Sequence, residues 1–255
     1  MACQIAANSH FKYIWIDTCC IDKSDISELS EAINSMFRWY QSAAVCYAYL
    51  ADVPPLLFGE PNNIDTASFK KSRWFTRGWT LQELLAPKQV MFLGGEWNFI
   101  GTRHSLDVEI EEATGIHHLD LISFHRCCLA TKLSWAANRQ TTRIEDRSYS
   151  LLGLLGVHIP LIYGEGERAF TRLQHELIRT YNDESIFVWN LRQDSVWPVQ
   201  KPLALRAPPW PIHRFTPTQG TVVHYLRQIS IANVIHTDLQ AGTWQHSDGI
   251  ATLLS

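Results

Sequence analysis

The sequence has few charged residues and no excess of either sign. Lys, Arg, Asp and Glu make up 18% of its 255 residues, and the formal net charge is −3. Because 46% of the residues are hydrophobic, the composition excludes disorder for most of the chain. The sequence has neither a surplus nor a run of Lys and Arg. It therefore predicts neither a nucleic-acid partner nor a membrane-surface partner.

Long apolar runs and a dense cysteine pattern are also missing. The longest apolar stretch, Tyr149–Tyr163, is shorter than the roughly 20 residues that a membrane helix needs. The N-terminal residues lack the basic start and apolar stretch of a signal peptide. Six Cys are too few for a disulfide scaffold, and the pairs Cys19–Cys20 and Cys127–Cys128 are sequence neighbours that rarely bond each other. We therefore expect a cytoplasmic protein.

The N-terminal part alternates between strand-like and helix-like patterns. Apolar runs at 12–17, 44–50 and 89–93 predict three strands. Asp25 begins one predicted helix as its N-cap, and residues 72–86 form another that Pro87 ends. The order strand, helix, strand, helix, strand indicates a parallel α/β sheet with helices on both faces.

The rest of the sequence has a different pattern. Helical periodicity dominates residues 101–190, and Ile186–Trp189 adds a strand-like run. Residues 191–255 are rich in Pro and show only weak strand patterning. We predict an α/β core at 1–100, a mainly helical extension at 101–190, and a tail at 191–255 whose fold the pattern does not determine.

A glycine-rich motif, Gly164-Glu-Gly-Glu-Arg-Ala169, has the spacing of a dinucleotide fingerprint. We do not predict a nucleotide site there. The preceding run has Pro160 near its start, unlike a central strand, and Glu165 and Glu167 would repel a pyrophosphate. A glycine-rich helix entry with acidic residues at the positive end of the helix is the favoured interpretation.

Residues 117–128 have the composition of a metal site but not the spacing. They contain His117, His118, His125, Cys127 and Cys128. These residues form no C-x-x-C pair and no pair of His at zinc-finger spacing. We predict free cysteines and loop histidines, with no metal and no cofactor.

The predicted helix 72–86 carries an unusual set of side chains. Trp79 and Glu83 are four residues apart and share a face, and Arg73 and Arg77 are also four apart and form a basic edge. From these residues alone, the favoured interpretation is a core helix with a solvated Glu.

Several motifs, in order, resemble the fungal heterokaryon incompatibility (HET) domain. The three strongest are Tyr13–Lys23, Glu28–Tyr40 and Arg73–Pro87. Two later stretches, Arg143–Val157 and Ile162–Phe170, are similar to downstream segments of incompatibility proteins. The resemblance implies non-self recognition after cell fusion, programmed cell death, and self-association or a partner incompatibility protein.

The HET domain is in turn a distant relative of TIR domains, many of which have a flavodoxin-like sheet and some of which hydrolyse NAD. Their catalytic glutamate lies in a W-C-x-x-E-L helix, and Trp79-Thr-Leu-Gln-Glu-Leu84 has the same Trp-to-Glu spacing. The resemblance therefore implies that Glu83 is a catalytic carboxylate and that NAD is a substrate.

The other site residues follow from the same resemblance. Arg73 or Arg77 would hold phosphates, and Trp79 would stack on a flat ring. Asp17 and Asp22 lie at or just beyond the carboxyl end of the first predicted strand, where open α/β sheets bind ligands.

HET domains usually begin with a strand upstream of the motif at Tyr13, and this sequence does not contain it. In a flavodoxin-like order that strand is central, so we expect a gap between the strands at 12–17 and 44–50 unless another segment fills it. Three functions stay open: a cell-death effector that cleaves NAD, a non-enzymatic self-assembling signalling module, and an inactive truncated paralogue.

Overall fold

A mixed α/β fold is present in the computed structural model, which describes residues 1–55, 65–187 and 250–254. The strands are β1 (Tyr13–Ile16), β2 (Val45–Tyr49), β3 (Val90–Leu93), β4 (Phe99–Thr102) and β5 (Ile250–Leu254). The α-helices are α1 (Ala2–Asn8), α2 (Asp17–Cys20), α3 (Ile26–Ser42), α4 (Thr66–Lys71), α5 (Thr80–Leu85), α6 (Asp107–Thr114), α7 (His118–Ser123), α8 (Leu129–Ala136), α9 (Asp146–Tyr149), α10 (Leu152–Leu155) and α11 (Arg168–Thr180). Short 3₁₀ helices span Arg73–Thr76, Phe124–Arg126 and Glu184–Phe187.

The five strands form one sheet in the order β1-β5-β2-β3-β4. The first four strands of that order are parallel, and β4 runs antiparallel to β3. The three predicted strands are confirmed as β1, β2 and β3. The prediction of a purely parallel sheet is wrong at β4. The short connection 94–98 allows the chain only to turn back beside β3, because a parallel neighbour needs a much longer crossover.

The position between β1 and β2 is occupied by β5. Tyr13 aligns with Ile250 on one side of β5, and Val45 aligns with Ala251 on the other. The expected gap is therefore filled by a segment of the 191–255 tail, and the rest of that tail lies outside the described residues. A run of five residues carries too little periodicity to predict such a strand. The division at 100 and 190 stays a prediction.

Both faces of the sheet are covered. Cys46 and Ala48 of β2 face the larger core, which the helices that follow β1 complete. Val45 and Tyr47 face a smaller cluster that includes Ala6 of α1. Because both faces of β2 are buried, its sequence shows a continuous apolar run and no alternation. The prediction of helices on both faces is confirmed.

The predicted helix 72–86 is two shorter helices with a break between them. Arg77 has an extended backbone (φ −80°, ψ 142°), and α5 begins only at Thr80. The N–H of Gly78 donates to the carbonyl of Gln140 at 2.7 Å, and a Cβ on Gly78 would lie 2.4 Å from Thr141 Cγ2. This close packing overrides the helical propensity of the segment. The basic edge predicted for Arg73 and Arg77 from helical spacing therefore does not form.

The structure also tests the strand predicted at 186–189 and the expected absence of a membrane helix. The strand predicted at 186–189 is wrong at Ile186 and Phe187, which lie in a 3₁₀ helix, and residues 188–189 are outside the described part. Among the described residues, no helix combines the length and the apolar character needed to cross a bilayer.

Candidate functional site

Glu83 lies on α5 and is buried in the larger core. The residue is 7% exposed, and its Oε2 has no hydrogen-bond partner among the described residues. Burial raises the pKa of Glu83 to about 8, against the opposing effect of Arg77 and with a further rise from Asp17. Glu83 is therefore mostly protonated near neutral pH, which differs from the solvated carboxylate that the sequence alone favours.

Arg139 is a buried cation that lies close enough to Glu83 to affect its pKa. Its Nη1 donates to the carbonyl of Arg77 at 3.0 Å and to Thr80 Oγ1 at 2.9 Å, and its Nε donates to the carbonyl of Trp135 at 3.2 Å. Its Nη2 is buried and has no partner among the described residues. Burial lowers the pKa of Arg139 to about 10, while Glu83 acts to raise it. Arg139 therefore links the end of α8 to the start of α5.

The structure brings three of the predicted site residues together. Asp17, half-buried at the end of β1, and Arg77, in the break before α5, both lie close enough to Glu83 to affect its pKa. Tyr40 joins them from α3, is 1% exposed, and has a pKa raised by burial and then by Glu83. Tyr40 and Arg139 were not predicted as site residues. Tyr40 ends a family motif but has the spacing of a core position on α3, and Arg139 lies outside the motifs.

The other predicted site residues make different contacts. Arg73 is exposed, and its backbone N–H donates to Asp52 Oδ2 at 2.8 Å. Asp22 accepts from the N–H and the hydroxyl of Ser24, which places it in the turn before α3. Trp79 is half-buried and hydrogen-bonds to the side chain of Asp146.

Asp52 anchors the end of β2 to the 3₁₀ helix that precedes α5. It accepts from the hydroxyl of Ser72 at 2.7 Å and from the N–H of Arg73. Partial burial acts to raise the pKa of Asp52. Its hydrogen bonds, chiefly these two, and the charge of Arg73 together outweigh that effect, so the pKa lies below its ordinary value. Ionised Asp52 therefore stabilises the fold at neutral pH.

The Asp52→Ala variant is expected to lose about 1–2 kcal/mol of unfolding free energy near neutral pH, because it leaves the Ser72 hydroxyl and the Arg73 N–H without their acceptor. Because the folded-state pKa is lowered, the contribution of Asp52 is complete above the unfolded-state pKa and is lost as the pH falls through the folded-state value. Urea unfolding of Asp52→Ala beside the exposed control Glu96→Ala measures this. Equal stability of the two variants would contradict the anchoring role.

The backbone N–H groups of the glycine-rich motif bind a carboxylate of the same chain. The N–H groups of Gly164 and Gly166 donate to Glu145 Oε1 at 2.8 and 3.0 Å. Both glycines have positive φ values, of 98° and 63°, which a residue with a Cβ rarely adopts. The N–H groups that would cradle a pyrophosphate are therefore bonded to a carboxylate, which supports the interpretation of this segment as a structural loop.

Glu83 does not line either of two cavities found among the described residues. The larger, of about 560 Å³, is lined by Phe37, Phe124 and Arg103 among others. The smaller, of about 80 Å³, is bordered by Gly78 and Arg139. It is well below the roughly 300–1,000 Å³ of pockets that hold small organic ligands. In this conformation neither cavity gives a nucleotide access to Glu83.

The N-terminal part of the chain matches a known protein family. Residues 1–55, which include β1, α3 and β2, match the family model described as Heterokaryon incompatibility protein (HET). These residues belong to the HET family. The resemblance predicted from the sequence is confirmed. The HET match includes Asp17, Asp22 and Tyr40, whereas Glu83 and Arg139 lie beyond it.

The chain also has a curated relative. Over 177 residues, or 65% of this chain, it is 49% identical to the vegetative incompatibility protein HET-E-1 of Podospora anserina. The match spans 12% of the length of that protein. No solved structure matches the chain. The catalytic and binding roles predicted for Glu83 and its neighbours stay predictions.

Proposed function

We propose that the chain acts in fungal vegetative incompatibility, in non-self recognition that ends in programmed cell death in the cytoplasm. Its 49% identity to a vegetative incompatibility protein carries this proposal. Because the match spans 12% of that relative, the proposal concerns the HET-type signalling step and not every activity of the longer protein.

We propose further that the signal passes by assembly with a second copy or a partner incompatibility protein. The burial of Glu83 favours this mechanism. The residue is 7% exposed, and its pKa of about 8 keeps the carboxyl group mostly protonated near neutral pH. The helix α7 offers an apolar contact surface. Leu119 and Ile122 are 59% and 69% exposed and lie three residues apart, on neighbouring positions of one face.

NAD cleavage through Glu83 is the second candidate mechanism. The observation that favours it is a buried polar cluster in which Glu83 Oε2 and Arg139 Nη2 both lack partners among the described residues. Breaking the nicotinamide–ribose bond forms an oxocarbenium-like state that a carboxylate stabilises. The order β1-β5-β2-β3 also corresponds to the 2-1-3-4 part of a flavodoxin-like or TIR-like sheet, with β5 in place of the first strand. This mechanism requires Glu83 to lose its proton and α5 to move.

Expression of the full chain in a fungal host separates the two mechanisms. If the signal passes by assembly, we expect the wild type and Glu83→Gln to cause cell death equally. We expect Ile122→Glu to reduce cell death, because it places a charge in the contact surface. The matched control is Val108→Glu, which changes an apolar residue that is 60% exposed on α6. Loss of killing by a folded Glu83→Gln variant would instead support NAD cleavage. A wild-type chain that is folded and harmless would contradict both and support an inactive paralogue.

A further inference from the structure

The turn between α6 and α7 brings a carboxylate and two imidazoles together. Gly115 ends α6 with a left-handed φ of 72°, and its N–H donates to the carbonyl of Glu111 at 2.7 Å. His117 follows almost at once as the N-cap of α7. Ile110 and Ile116, both 0% exposed, fix the two helices in the core. Glu111 therefore faces the start of α7, where its Oε2 accepts the N–H of His118 at 3.2 Å.

The side chains of this turn have the separations of metal ligands. The donor atoms of Glu111, His117 and His118 all lie within 4.8 Å of one another. His118 Nδ1 is 3.4 Å from Glu111 Oε2, and the two imidazole rings have centroids 4.2 Å apart. In a tetrahedral zinc site with bonds of about 2.0–2.1 Å, neighbouring ligand atoms are roughly 3.3 Å apart. Side-chain rotations that bring these three donor atoms closer would therefore fill three of the four positions of such a site.

The other candidate ligands in the His- and Cys-rich stretch point elsewhere. His125 packs edge-on against Phe124, with ring centroids 5.6 Å apart. The thiol of Cys127 donates to Asp120 at 3.3 Å, and Cys128 Sγ lies 3.2 Å from Thr131 Oγ1. The fold thus separates two histidines from the rest of the stretch and pairs them with Glu111. Composition alone did not single out Glu111, because it lies on the preceding helix.

We propose that Glu111, His117 and His118 bind a divalent transition-metal ion, with Zn²⁺ as the best match. Two imidazoles and one carboxylate form a donor set that zinc accepts, and they leave a fourth position for water or a partner's side chain. Binding has a local cost, because His117 Nδ1 now accepts the N–H of Leu119 at 3.3 Å. Either binding mode breaks this cap, because the ion takes the lone pair of Nδ1 directly or binds Nε2 after the proton has moved to Nδ1, which then no longer accepts.

The test is a Co²⁺ titration of the full chain, followed by visible absorption and then by displacement with Zn²⁺. We expect the absorption of a low-symmetry Co²⁺ site, its loss on adding Zn²⁺, and a rise in melting temperature with Zn²⁺ that follows mass action. Glu111→Gln and His118→Ala should weaken binding about tenfold or more. His125→Ala is the matched control from the same stretch and should bind as the wild type does.

Circular dichroism of each variant shows that it is folded before binding is compared. The proposal is overturned if the wild type binds neither ion, or if Glu111→Gln and His118→Ala bind as tightly as the wild type. It is also overturned if His125→Ala or Cys127→Ser lowers the affinity as much as His118→Ala, because the ligands would then lie elsewhere.

Discussion

Replacing Glu83 with Gln is expected to stabilise the chain by about 3 kcal/mol near pH 7. The folded chain keeps Glu83 protonated with a pKa of about 8, whereas the ordinary value for an exposed Glu is 4.5. Near neutral pH the unfolded chain therefore releases a proton that the folded chain must hold. Gln has nearly the shape of a protonated Glu and removes this difference.

The sign of the pH dependence follows from the raised pKa. Protonated Glu83 contributes its full stabilisation below pH 4.5, and this contribution falls as the pH rises to about 8. Over that window the wild type should lose about 5 kcal/mol relative to Glu83→Gln, at 1.36 kcal/mol for each pH unit. Urea unfolding at a series of pH values measures the difference, with exposed Glu31→Gln as the control. A destabilised Glu83→Gln variant would show that Glu83 is ionised and paired.

The Thr252→Pro variant is expected to lose about 3 kcal/mol or more of unfolding free energy. Thr252 aligns with Trp15 of β1 on one side and with Cys46 of β2 on the other. Proline has no N–H for a strand ladder and does not fit a central strand. In the described sheet β5 lies between β1 and β2, so this one change should weaken the attachment of β1 as well.

Thermal unfolding followed by Trp fluorescence measures this loss of stability. Trp15 of β1 reports on it because its ring centroid lies 5.3 Å from that of Trp39 and 5.7 Å from that of Tyr40, both on α3. Thr252→Ala keeps the backbone N–H and serves as the control. If Thr252→Pro melts at the same temperature as Thr252→Ala, β5 is not the central strand of the sheet in solution.

Local patterns predicted the elements that depend mainly on their own residues. β1, β2 and β3 are short apolar runs between turn signals, and Asp25 caps α3 by accepting the N–H of Ser27 at 2.8 Å. The break before α5 was not predictable in the same way. It depends on Gly78, which meets Gln140 only after the chain has folded. β5 was missed for a similar reason, since its place depends on pairing with strands far away in sequence.

The candidate site also combines predictable and unpredictable features. Asp17, Arg77 and Glu83 come from motifs and do lie in one neighbourhood. The state of Glu83 depends on burial by distant segments, and Arg139 reaches the cluster from the end of α8. A motif could therefore indicate which residues meet, but it could not show that the carboxyl group is protonated and enclosed.

Consumption of NAD⁺ by the purified full chain tests most directly the central proposal, that the chain signals without an ionised Glu83. The assay compares the wild type with Glu83→Gln after unfolding curves show that both are folded. The account predicts that neither protein lowers the NAD⁺ concentration, while both cause cell death when expressed. Consumption of NAD⁺ by the wild type that Glu83→Gln abolishes would contradict it.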